Sequence, residues 1–564
     1  LLSVAAAVGA LAAAAPEAIR QDLGVRIAMR DGVELSANVF LPHHHGRLPA
    51  ILIRTPYGKG PGPSESQRAF VEHGYAVVVE DVRGRYASEG VFDPLHQEIA
   101  DGEDTLSWIA AQEWSNRRVG MIGGSYLGIT QWKAALSGSP YLKAIFPLVA
   151  GGDEYLDRFY SHGGAFKLGH RLEWMAETLH VGGYHSDFAR FVRRVPLRTA
   201  DVAATGRVVD FFQRALDHPA YDAYWKSIST REQLGRVRVP VFAAGGWFDN
   251  FLESDLELFR LLRERGRDAR LIVGPWPHNF SYRFAEIDYG PESRIGLRQM
   301  QFDWFDFWLK QPAGAHERNA APGPPLRLFV MGANRWREER AWPLERARPT
   351  AFYLAGRGRA NSAAGDGRLV REPARRQAAD RFVYDPRDPV PTAGGAVCCN
   401  PKLLPWGPLD QRAIESRRDV LVYTSPRLSR PIEATGPVRV VLYVSTSTPD
   451  TDFTAKLVDV YPDGRALNVT DGILRLRYRV SLEHAVLSQP GAVYPITIDA
   501  GATSIEFGKG HRIRLEVSSS NFPRFDRNPN TGRAVADERE LARANQTVYH
   551  DRSHRSYLLL PVVP

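Results

Sequence analysis

"RVGMIGGSYLG", residues 118–128, decides the fold. A short apolar run ends in two glycines and Ser125, and "ITQWKAAL" (129–136) continues at helical spacing. Strand, tight turn and helix with a serine at the turn is the layout of a nucleophile elbow. Small residues flank such a serine because strand and helix approach too closely for side chains. The common form has its second glycine two residues after the serine. Leu127 stands there and Gly128 follows, so the strict motif is matched imperfectly. The alternative is a tight turn that merely uses serine.

Similar runs lie on both sides: "AILIRTPYG" (50–58), "YAVVVEDVRG" (75–84), "LKAIFPLVAGG" (142–152), "VRVPVFAAGGWFDNF" (237–251) and "ARLIVGPWPHNF" (269–280). Apolar runs without alternation suit strands buried on both faces of a parallel sheet. "HQEIADGEDTLSWIAAQEW" (96–114) places apolar residues at helical spacing between two of them, the pattern of an α/β sheet. "GVRIAMRDGVELSANVFLP" (24–42) reads as a hairpin turning at Asp31-Gly32. The expected architecture is an α/β hydrolase core in two parts, 18–152 and 236–347, with an inserted helical cap at 153–235. From 348 to 564 short alternating strands such as "VRVVLYVSTST" and "HRIRLEVSSSNF" predict an all-β jelly-roll sandwich.

A serine is a weak nucleophile until a histidine takes its proton and a carboxylate orients that histidine. In α/β hydrolases the chain order is serine, acid, histidine. Asp249 and His278 follow in that order, each at the carboxyl end of an apolar run, where such sheets place their sites. Singly, Asp249 could be a helix N-cap and His278 a loop residue; three residues in order point to a triad. Asp81 also ends a strand but precedes the serine, so an ion pair with Arg83 or Arg85 is expected instead. The oxyanion donors expected are the Tyr126 N–H and the Tyr57 hydroxyl, Tyr57 having a packed aromatic as its alternative reading.

"RTPYGKG", "EDVRGRYASEG", "GGSYLG", "GGWFDNF" and "VGPWPH" together resemble the cocaine esterase-like (CocE/NonD) hydrolases, relatives of X-Pro dipeptidyl peptidases and α-amino-acid ester hydrolases. "TPDTDFTAKLVDVYPDGRALNVTDG" and "SSSNFPRFDRNPNTG" resemble that family's C-terminal jelly roll. A glycine after "SYL" is the family's own form of the elbow. The resemblance implies Ser125 as nucleophile, His278 as base, Asp249 as its orienter, and Tyr57 with Tyr126 as oxyanion hole. It implies a helical cap, and neither a metal nor an organic cofactor. The α-amino-acid ester hydrolases carry acidic residues just after the triad aspartate, where Asn250, Phe251 and Leu252 stand here. X-Pro dipeptidyl peptidases carry an extra N-terminal helical domain, which is not expected here. The remaining reading is an esterase or acylase acting on a small-molecule ester or amide. Trp174, Trp247 and Phe251 are candidates to line an apolar pocket. "PTAGGAVCCNP" (391–401) resembles a jelly-roll loop that reaches the site in relatives, which would put Cys398 and Cys399 near substrate. The rivals are an amide-directed acylase or X-Pro-type peptidase, and a binding protein that has lost catalysis.

Bulk properties bound the rest. A chain of 564 residues exceeds one core, and 44% hydrophobic with 24% charged residues is ordinary for a soluble globular protein. The net charge of +8 comes from scattered arginines without a like-charge run, so no nucleic-acid partner is expected. The only two cysteines are adjacent, which gives no disulfide framework and no spaced zinc pairs. A vicinal disulfide and two buried thiols are the alternatives. Residues 1–17 resemble the remnant of a secretory signal, too short and weakly apolar for a stable membrane span; a secreted or periplasmic bacterial protein is expected. "HHH" (43–45) lacks carboxylate partners and reads as a solvated loop, not a metal site.

Overall fold

The computed structural model describes residues 19–43, 46–311, 323–373 and 377–564. The signal-like segment 1–17 and His44 and His45 lie outside the described residues.

The apolar runs form the strands of one sheet. They are β1 (Arg20–Ala28), β2 (Glu34–Leu41), β3 (Leu48–Thr55), β4 (Ala76–Asp81) and β5 (Ser115–Gly124). β6 (Leu142–Leu148), β7 (Val241–Phe248), β8 (Ala269–Pro277), β9 (Leu326–Val330) and β10 (Arg335–Glu339) complete it. The order is β1-β2-β4-β3-β5-β6-β7-β8-β9-β10. From β4 to β9 every pairing is parallel, and an antiparallel hairpin closes each edge. Every residue of β4 and β8 is buried, which is why neither run alternates.

Helix α1 (Glu65–Glu72) packs one face of the sheet through Phe70 and Val71. The other face is covered by α2 (Glu98–Ala111) and α3 (Tyr126–Ser137), through Leu106, Ile109, Ile129 and Trp132. Between β6 and β7 the chain leaves the sheet to build a helical cap. It holds α4 (Leu168–Thr178), α5 (Tyr184–Val192), α6 (Ala200–Thr205), α7 (Asp210–Asp217) and α8 (Ala223–Ile228). After β7, α9 (Leu252–Glu264) returns to the sheet. Among the described residues, eleven strands from Arg348 to Val563 make the second, all-β domain. The protein is therefore an α/β hydrolase with an inserted cap and a C-terminal jelly roll. Among the described residues no helix is long and apolar enough to cross a membrane.

The cap and the jelly roll interlock. Asp526 accepts from the Phe166 N–H at 3.0 Å, and its own N–H donates to Phe166 O at 2.8 Å. The buried Arg475 guanidinium joins Asp526 to Asp452 at 2.7 and 2.9 Å. The jelly roll passes so close to the cap that a Cβ at Gly163 would stand 1.9 Å from Ile473 O.

A partly exposed ion pair, His162 Nε2 to Glu253 Oε2 at 2.6 Å, lies at the same junction, near Asp499 and Lys167. Burial alone would lower the His162 pKa, but the Glu253 carboxylate overrides it and holds the imidazole at about 9. Burial would raise Glu253, and His162 brings it down to about 2. The stabilisation is therefore complete between the ordinary values of 4.5 and 6.5 and fades as pH rises through about 9. Wild-type melting temperature should fall between pH 6.5 and 9, and E253Q should flatten that slope. An equal slope in E253Q would refute the assignment.

Asp81 departs from expectation. It pairs with Lys59, which donates from Nζ at 2.8 Å and from its N–H at 2.7 Å. Arg83 turns to Asp101 and Asp31, and Arg85 donates to the carbonyls of Pro56 and Thr178.

Candidate active site

Ser125 lies between β5 and α3 at φ 57°, ψ −125°. A serine rarely adopts positive φ, so the surrounding structure must hold it there. The packing explains the glycines. A Cβ at Gly123 would stand 2.4 Å from Leu127 Cβ, and one at Gly128 would stand 2.5 Å from Ala150 Cβ. The tight contact falls three residues after the serine, where Gly128 is. Tyr126 opens α3, so its N–H has no intrahelical acceptor. Its phenol donates to Glu98 at 2.6 Å, Glu98 accepts from Arg54 at 2.6 Å, and Arg54 also donates to Glu80 at 2.6 Å, all buried.

Asp249 and His278 follow β7 and β8, parallel neighbours, and the structure brings them together. His278 Nδ1 meets Asp249 Oδ2 at 2.6 Å, with side-chain exposures of 12% and 0%. The other carboxylate oxygen accepts from the Phe251 N–H at 2.9 Å. A carboxylate on Nδ1 selects the tautomer protonated there and leaves the lone pair on Nε2.

Tyr57 follows β3 and is 42% exposed as a residue, but its hydroxyl interacts with Ser125. Burial pushes the phenol pKa up, partly offset by the Trp174 hydrogen bond and the Arg158 charge. Trp174 Nε1 donates to the phenol oxygen at 3.1 Å, which leaves the phenol proton available to donate.

Trp174 stacks on Tyr126, ring centroids 6.3 Å apart and 7° from parallel. The Phe251 ring lies 5.5 Å from that of His278 and 6.3 Å from that of His170. Trp247 lines a cavity with Asp249, Asn250 and Glu253. Its indole donates to Phe329 O at 2.8 Å and packs against Trp342.

Sequence reading missed a set of buried charges in the cap. Glu154 pairs with Lys133 at 2.8 Å and Arg158 at 3.2 Å, and the Arg158 guanidinium lies 5.4 Å from the Tyr126 ring centre. Burial, with Arg158 nearby, draws Arg171 down to about 9. Burial, then the charges of Arg171 and His278, hold His170 well below the usual histidine range. The available signal was "HRLEW" (170–174), with His170 and Glu173 one turn apart on one helix.

Residues 31–279 match the family described as X-Pro dipeptidyl-peptidase (S15 family), and residues 319–559 match its C-terminal non-catalytic domain. The chain is 41% identical to the cocaine esterase of Rhodococcus sp. (strain MB1 Bresler), over 96% of this chain and 98% of the relative. It belongs to the cocaine esterase-like serine hydrolases. Two solved structures are similar over nearly full length. An aminopeptidase from a marine sediment archaeon (Thaumarchaeota archaeon) superposes with TM-score 0.83 at 27% identity, covering 97% of this chain and 96% of its own. An α-amino acid ester hydrolase gives TM-score 0.78 at 26% identity, covering 98% and 100%. The protein is an enzyme, a serine ester hydrolase.

Proposed function

We propose that Ser125 attacks the carbonyl of a small carboxylic ester and carries the acyl group as a covalent intermediate. His278 takes the serine proton on Nε2, then delivers it to the leaving alkoxide. Asp249 holds the imidazole and stabilises the imidazolium. The Tyr57 hydroxyl and the Tyr126 N–H stabilise the tetrahedral oxyanion, and water activated by His278 releases the acid. The observation that carries this reading is the 2.6 Å His278–Asp249 pair after neighbouring parallel strands, together with a serine held at positive φ after β5 and engaged by a phenol. Phe251 and Trp174 favour an apolar or aromatic group next to the scissile bond.

Tyr57→Phe tests the phenol. Removing one oxyanion donor costs about 10²–10³ in kcat. KM should change little, since the bond strengthens only as charge develops. A kcat within threefold of wild type would remove Tyr57 from the mechanism. Matched ester and amide substrates separate the esterase from the acylase or peptidase reading; faster turnover of the amide would overturn the choice made here.

Export from the cytoplasm is proposed on the signal-like composition of residues 1–17. Cell fractionation of the full-length protein tests it, and recovery in the cytoplasm alone would refute it.

A further inference from the structure

Cys398 and Cys399 are joined by a disulfide on a jelly-roll loop that reaches the cap. The Cys399 N–H donates to Glu173 Oε2 at 3.2 Å, and Asn400 meets His185 at 3.2 Å. A ring nitrogen of His170, on α4, and the two sulfurs all lie within 4.8 Å of one another. His170 is 6% exposed and Cys398 fully buried. His170 Nδ1 is buried with no hydrogen-bond partner, and Nε2 has only a 3.4 Å contact with Arg171. A buried ring nitrogen left unpaired is costly. Glu173, one turn along α4, carries a second buried oxygen without a partner, Oε1.

We propose that Cys398 and Cys399, once reduced, join His170 in a site for one thiophilic divalent cation of the zinc class. The reductant is a trialkylphosphine. Phosphorus attacks one sulfur, the S–S bond breaks, and water supplies the oxygen of the phosphine oxide and the two thiol protons. Phosphorus is oxidised by two electrons, and the disulfide is reduced by the same two. On metal binding each thiol releases its proton to solvent, so the cation enters with two thiolates and a neutral imidazole. The complex carries no net charge, which suits a pocket already holding Arg158, Arg171 and Lys167. After reduction the two sulfurs part from bonding distance to about 3.7 Å and the imidazole moves toward them, as metal–ligand bonds of about 2.0–2.3 Å require. Water completes the tetrahedron. The two sulfurs come from the jelly roll and the nitrogen from the cap, so spacing along the chain hides the set.

Cobalt(II) is the probe, added without oxygen to the full chain after the phosphine has been removed. The expected result is a thiolate-to-cobalt charge-transfer band saturating at one equivalent. Unreduced wild-type protein and the C398S/C399S variant should lack it. H170Q should weaken binding tenfold or more, and H170C, which supplies a third thiolate, should restore it, separating ligand loss from misfolding. No band in reduced wild type, or unchanged affinity in H170Q, would overturn the proposal. The readout is spectroscopic and stands independently of ester turnover.

Discussion

Ser125→Ala lowers hydrolysis of p-nitrophenyl butyrate by about 10⁴-fold or more, to the residual level set by binding and the oxyanion donors. It also abolishes the pre-steady-state burst and labelling by a serine-directed phosphonate. The melting temperature should not fall, because the Ser125 hydroxyl belongs to the reaction rather than to the core. A sharper form of the same test uses glycine. Ser125 sits at φ 57°, where a side chain costs about 1–3 kcal/mol. Ser125→Gly therefore loses activity as fully as alanine but melts higher than wild type. Retention of burst kinetics by either variant would exclude Ser125 as nucleophile. Loss of cooperative unfolding in both would mean that the serine is structural.

The second large effect lies beneath the oxyanion site. Arg54 is fully buried, with Glu80 and Glu98 each at 2.6 Å and Asp101 at 3.9 Å. Arg54→Met leaves these carboxylates uncompensated, at a cost of about 3–5 kcal/mol, against a total stability of about 5–15 kcal/mol. Burial already raises the Glu80 pKa, and Arg54 pulls it back. Without the guanidinium the folded state holds protons that the unfolded chain releases, so the variant loses stability as pH rises. Urea unfolding should show a larger deficit at pH 8 than at pH 5. Since Glu98 also anchors the Tyr126 phenol, the folded fraction should have a lower kcat. A deficit below 1 kcal/mol at both pH values would mean that the pocket admits water.

The strands were legible because burial on both faces leaves no alternation to misread, and Ser125, Asp249 and His278 stood out by chain order at strand ends. Contacts across the sheet were less accessible. Asp81 looked bound to its neighbours Arg83 and Arg85, but β3 and β4 are parallel with Thr55 opposite Asp81, so the loop after β3 delivers Lys59 instead. The cap was legible as helices but not as chemistry. Its buried Arg158, Arg171 and His170 gain their surroundings only when α4 meets the sheet and the jelly roll. The elbow's late glycine became intelligible once Ala150 was seen opposite Gly128.

The lock between cap and jelly roll sets the unit of inheritance for this enzyme. Gly163 lies against Ile473, and Arg475 and Asp526 tie the jelly roll to the segment carrying Phe166. A recombinant that swaps one partner and keeps the other meets a steric block at Gly163 and puts at risk the paired bonds between Phe166 and Asp526. Substrate scope in such chimeras would therefore travel with the cap and jelly roll as a pair, while the sheet bearing the triad could serve as a common chassis.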